Sequence, residues 1–203
     1  RIDSFIPASN ITIERKEQTT VMADERINDV LASVTPSIVN IFNSSKTIVP
    51  DSVLNQTKNY LGSGVVLTND GWIVFGNILQ ITDSYVAVQD NGIIFKVTDI
   101  KQDLNLGLSF LKVDANNLSV VPLVKREEIN PAESVLIIDG LAGFNRFLFL
   151  SRISDNRLAV AGSSLWESEK NYLFLSLEKT IGASFLNAPV FSLNKELAGF
   201  IVK

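Results

Sequence analysis

From Ile38 onward the chain consists of short runs of β-branched and aromatic residues, each closed by turn-forming residues after about eight to twelve positions. That rhythm excludes long helices and dictates antiparallel strands joined by tight turns, an all-β fold. Asn69-Asp70-Gly71 and Asn91-Gly92 are the clearest turns, because Asn, Asp and Gly accept the positive φ that short hairpin loops demand. After the second of them, Ile93, Phe95 and Val97 alternate with Ile94, Lys96 and Thr98, as a half-buried strand does. The turn-rich piece Asp114-Ala115-Asn116-Asn117-Leu118-Ser119 divides the strand region into halves of roughly 75 to 85 residues, each sufficient for one small antiparallel barrel.

Upstream of the strands, residues 1–21 lack a sustained period and read as an extended arm, expected to be mobile because it offers little apolar surface to bury. One short helix follows. Ile27, Val30, Leu31 and Val34 recur at helical spacing, Asp24 stands where a cap belongs, and Pro36 ends the pattern. The expected organisation is an arm over 1–21, the helix and a first barrel over 22–113, a linker over 114–122 and a second barrel over 123–203.

Composition decides the chemistry. The 203 residues include no histidine and no cysteine, which removes imidazole bases, thiolate nucleophiles, disulfides and every His- or Cys-ligated metal or cluster. No cofactor is expected. Acids such as Asp24, Glu25 and Asp29, or Glu167 and Glu169, lack the spacing of a calcium loop and read as solvated charge, so no metal is expected either. The net charge of -4 gives no long-range attraction for a phosphate backbone, and nucleic acid is excluded as a partner on that ground. No apolar run approaches the roughly 18 to 20 residues of a membrane span. A chain opening on Arg1-Ile2-Asp3-Ser4 reads as part of a longer precursor, which leaves an upstream anchor open.

Three ordered stretches resemble the HtrA branch of the trypsin-like serine proteases. Val34-Thr35-Pro36-Ser37-Ile38-Val39-Asn40-Ile41 with Gly62-Ser63-Gly64-Val65-Val66 and Asp70-Gly71-Trp72-Ile73-Val74 is similar to the family's "SPAVVNI…GSGFIISEDGYIL". Leu108 to Asp114 and Ser134 to Gly140 resemble "IAVLKID" and "EWVLAIGNP"; Pro189 to Phe200 resembles "PLLNLDGEVIGI". The resemblance implies two six-stranded antiparallel Greek-key barrels with a short N-terminal helix, the second barrel lacking its last strand within these residues. It also implies an extracytoplasmic setting, periplasmic or at the cell surface.

Register against the family's motifs places Ile78 where the general base stands, Gly107 at the orienting acid and Leu186 at the nucleophile. The loop that supplies the oxyanion hole reads Ser184, Phe185, Leu186, Asn187, Ala188. Loss of nucleophile or base in such a triad costs on the order of a million-fold in turnover. The resemblance therefore implies a protease fold without protease chemistry, a pseudoprotease and not an enzyme. The remaining hydrolytic device, a Ser–Lys pair, has three chance-level matches at Ser109–Lys112, Ser176–Lys179 and Ser192–Lys195.

Three roles remain open on these residues, the remote one a hydrolase of non-triad chemistry. The first is a module that binds a protein or extended peptide in the former cleft, walled by Glu178, Lys179, Thr180 and Ile181 and by the loop at Ser184–Leu186. The second is an assembly scaffold using another surface, for which Trp166 is a candidate contact. Residues 1–21 offer Phe5 alone as an aromatic anchor, so monomer and trimer both stay open.

Overall fold

A computed structural model describes residues 25–44, 59–125, 128–140, 146–160 and 171–201. The arm over 1–21, the cap Asp24, and Trp166, Glu167 and Glu169 lie outside the described residues.

Helix α1 occupies residues 25–34 and turns Val30 and Val34 fully inward, with Ile27 and Leu31 packed beside them. Pro36 falls in the 3-10 turn Thr35–Ser37, where its missing N–H leaves no bond unmade. The chain then enters β1 (Ile38–Asn43), followed by β2 (Tyr60–Val66), β3 (Trp72–Phe75), β4 (Tyr85–Gln89), β5 (Ile94–Asp103) and β6 (Leu108–Val113).

These six strands close into a barrel of order β1-β2-β3-β6-β5-β4. Closure comes from β1, where Val39 is paired with Gly64 of β2 on one side and Gln89 of β4 on the other. The step from β3 to β6 across the hairpin β4–β5 is the Greek-key crossing. Inside lie Val39, Ile41, Val66, Ile73, Phe75, Leu111 and Val113. Both foreseen turns form: Gly71 has φ +105° between β2 and β3, and Gly92 has φ +84° between β4 and β5. The alternation in β5 is met by half-buried Phe95 and Val97, whereas Ile93 and Ile94 are exposed.

The second unit contains β7 (Ser134–Gly140), β8 (Arg146–Val160), β9 (Asn171–Leu177), β10 (Pro189–Ser192) and β11 (Leu197–Phe200), ordered β11-β10-β7-β8-β9. It is a half-barrel. Among the described residues no strand joins β9 to β11, so the six-stranded closure expected for both units holds for the first, and the second lacks one strand as the resemblance implied. Residues 122–124 fasten β11 instead: Leu197 N–H donates to the Pro122 carbonyl at 2.8 Å, and Val124 N–H donates to the Leu197 carbonyl at 3.0 Å.

One apolar cluster binds the two units. Val30 and Val34 of α1, Ile38, Val65 and Val74 of the barrel, and Leu136, Ile138, Phe191 and Leu197 of the sheet share it. Burial of each such side chain contributes about 1.5 to 3 kcal/mol, which makes this cluster the main source of cohesion. An ion pair adds to it at the surface, with Lys195 Nζ 2.8 Å from Asp29 Oδ2. Asp29→Asn is expected to cost less than about 1 kcal/mol in thermal denaturation, because both partners are solvated. A larger loss would mean that the pair, and not the apolar cluster, seats α1.

Candidate functional site

The seam between barrel and sheet is made by glycines that leave room for the other unit. A Cβ at Gly76 would lie 2.7 Å from the ring of Phe200, and one at Gly62 would lie 3.1 Å from Phe75 and 3.9 Å from Cβ of Asn187. The end of β3 thus meets β11, and β2 approaches the loop before β10.

The three places assigned by register fall on three separate loops, after β3, between β5 and β6, and before β10. Ile78 follows β3 and is 37% exposed. Its neighbour Leu79 is held by its own N–H, which donates to buried Ser109 Oγ at 3.0 Å, and by its carbonyl, which accepts from Gln102 Nε2. Gly107 turns β5 into β6 with φ +68° and open space where a Cβ would be. Ser109, two residues on, is paired with Phe75 of β3, which brings the turn at Gly107 close to the segment at Ile78. Leu186 caps the 3-10 turn Ala183–Phe185.

That loop has a definite shape. Leu186 N–H donates to Ala183, Ala188 N–H donates to Phe185, and Asn187, at φ +70°, donates its N–H to Ile201 at 2.9 Å. Asn is among the residues that tolerate the left-handed region best. Ser184 is exposed and Ala188 fully buried.

The structure gathers the candidate wall residues unequally. Ile181 and Phe185 join one apolar cluster with Leu177 and Phe149 of β8. The Phe185 ring lies 5.7 Å from that of Phe149 and 6.4 Å, edge-on, from that of Phe147, and Lys179 Nζ lies 5.9 Å over Phe149. Glu178 and Thr180 are exposed, and Glu178 N–H donates to the Arg152 carbonyl of β8. Phe147 and Phe149 escaped the reading of the sequence; the signal they left is their alternation in Arg146-Phe147-Leu148-Phe149-Leu150.

A buried polar group also spans the seam. Tyr60 Oη donates to Asp139 Oδ1 at 2.7 Å, Ser63 Oγ donates to the same oxygen at 3.0 Å, and the Tyr60 and Ser63 oxygens are 3.0 Å apart. Burial, then the Asp139 charge, push the Tyr60 hydroxyl well above its ordinary range. Asp139 was legible only as a lone acid in the apolar run Val135-Leu136-Ile137-Ile138. Two of the Ser–Lys matches are occupied otherwise: Lys112 pairs with Asp70 at 2.9 Å, and Lys195 with Asp29.

A closed Greek-key barrel seamed to a half-barrel, with the pre-β10 loop at the junction, is the architecture of a trypsin-like serine protease domain, and the comparisons agree. The chain superposes on a serine endoprotease from Yersinia pestis with TM-score 0.62 at 21% identity, covering 86% of this chain and 56% of that one. It superposes equally, with TM-score 0.62 at 16% identity, on the HtrA-type protease AlgW with decapeptide, covering 86% and 57%. In sequence it is similar to the serine endoprotease DegS of Haemophilus influenzae, 32% identical over 105 residues, 51% of this chain and 31% of the relative. A probable periplasmic serine endoprotease, DegP-like, of Pseudomonas fulva is 27% identical over 147 residues, 68% of this chain and 28% of the relative. No family model matches. The chain thus has HtrA- and DegP-like relatives and spans about a third of their length.

One expectation is corrected. The inference that the chain is not an enzyme is overturned by these relatives, which are named serine endoproteases and point to protease activity. The physical reason is that the three register-assigned places and the lack of histidine and cysteine speak for one catalytic device, the imidazole triad. Peptide hydrolysis needs an attacking oxygen, a proton acceptor and oxyanion donors in mutual reach, wherever a fold supplies them.

Proposed function

We propose that this chain is the protease-like domain of an HtrA-type protein and takes protein or peptide segments in extended form at the seam. Glu178–Ile181 and Ser184–Leu186 wall the site, in an extracytoplasmic setting. A single observation carries this reading: Lys179 and Phe185, far apart in sequence from β8, converge on Phe149, and Ile181 packs against the same apolar cluster, beside the loop where the resemblance places the nucleophile. Two AlgW structures of the same fold are described with a decapeptide and a tripeptide, and the DegP-like relatives are named periplasmic, which supports the ligand class and the setting.

The test is a peptide array on the purified domain, with binding and cleavage read on the same peptides. Thr180→Asp and Ile181→Asp are expected to weaken binding by about tenfold or more while the fold survives. Binding indifferent to both substitutions would refute the site.

A further inference from the structure

The ladder of β8 is one-sided over its first half. Arg146 to Arg152 pair with β7 in unbroken register, from Gly140↔Arg146 to Ser134↔Arg152, whereas pairing with β9 begins at Ile153↔Leu177. Among the described residues nothing is paired with the other edge between Arg146 and Ser151, which leaves a row of backbone donors and acceptors facing outward.

The side chains from Phe147 to Leu150 are apolar on both faces. Phe147 is 56% exposed on one face, and Leu148 and Leu150 are 42% and 41% exposed on the other. Free edges are ordinarily blunted by charge, proline or a bulge, and none interrupts Phe147-Leu148-Phe149-Leu150. A helix or loop would cover one face only. A strand laid along the edge extends the sheet and brings side chains to both faces at once.

Ser151 gives a second, independent observation. On the face of Phe147 and Phe149 its Oγ is buried and, among the described residues, has no hydrogen-bond partner, a condition rare enough to call for a cause. The charge on this face belongs to Lys179, whose Nζ lies over Phe149, so the fitting occupant carries an acid there.

We propose that the β8 edge from Arg146 to Ser151 accepts an extended protein segment as an added strand. That segment bears apolar side chains at alternate positions and a carboxylate that meets Lys179. The proposal rests on the peptide-binding reading above and moves the main-chain contacts of the ligand to an edge outside the loop at Ser184–Ala188.

The probe is a short fluorescein-labelled peptide of alternating valine and threonine with one phenylalanine and one glutamate, followed by anisotropy on the whole domain. Leu148→Lys and Phe147→Glu, both at exposed positions, are expected to weaken binding by about tenfold or more, with unchanged circular dichroism. Lys179→Glu is expected to reverse the preference between the glutamate peptide and its lysine counterpart. Methylation of alternate peptide nitrogens is expected to abolish binding when it falls on the paired edge, because it removes the ladder donors. Binding that responds to Thr180→Asp and Ile181→Asp yet ignores Leu148→Lys and N-methylation would overturn this proposal and leave the site reading intact. Absence of binding by the wild-type domain would overturn both. Concentration-dependent dimerisation in sedimentation, lost in Leu148→Lys, would assign the edge to a second copy and overturn the peptide.

Discussion

Gly71→Ala is expected to destabilise the domain by about 3 kcal/mol or more, measured by urea denaturation. A Cβ at Gly71 would lie 2.3 Å from the carbonyl oxygen of Val113 and 3.1 Å from its Cγ2, at a φ of +105°. The obstacle is backbone, and Val113 cannot retreat without losing the bond from its own N–H to the Gly71 carbonyl at 2.9 Å. Gly92→Ala is the control. With φ +84° and nothing within 4 Å, it carries only the conformational penalty, about 1 to 2 kcal/mol. Equal losses for the two variants would show that the close approach at Gly71 relaxes freely.

Asp139→Ala is expected to cost about 2 to 4 kcal/mol, since it leaves the Tyr60 and Ser63 hydroxyls buried without their shared acceptor. Tyr60→Phe removes one donor and is expected to cost less. The pH dependence has a definite sign. The folded state raises the hydroxyl pKa of Tyr60, chiefly by burial, so the fold favours the protonated form. Its stabilising contribution is complete below the unfolded value of about 10 and is lost as pH rises above that value. Tyr85, raised in the same direction by burial, adds to this alkaline loss. Wild type should lose stability above about pH 10, and Tyr60→Phe should flatten that limb. An unchanged alkaline limb in Tyr60→Phe would remove Tyr60 from the seam's energetics.

What could be read from the sequence was local. Asn69-Asp70-Gly71 and Asn91-Gly92 specify their own backbone, and the spacing of Val30 and Val34 specifies the buried face of α1, so these elements were visible before any contact was known. Contacts set by pairing between distant strands were not. Lys179 reaches Phe149 only because Glu178 is bonded to Arg152, and Asp139 meets Tyr60 only because β7 crosses the seam beside β2. The activity was the least legible layer. Ile78, Gly107 and Leu186 speak for three places, whereas the relatives, named serine endoproteases, point to protease activity.

The unequal closure of the two units has a mechanical consequence. In the closed barrel every strand is held on both sides, so detaching any one of them breaks two ladders. In the half-barrel, among the described residues, β9 hangs from β8 alone while β11 is also fastened by residues 122–124, so release of β9 is the lower-energy opening of the molecule. A segment captured on the sheet would act first on that local opening, by the ordinary linkage of binding to a folded form. The barrel is then the rigid mount, and the half-barrel is the part whose order depends on the company it keeps.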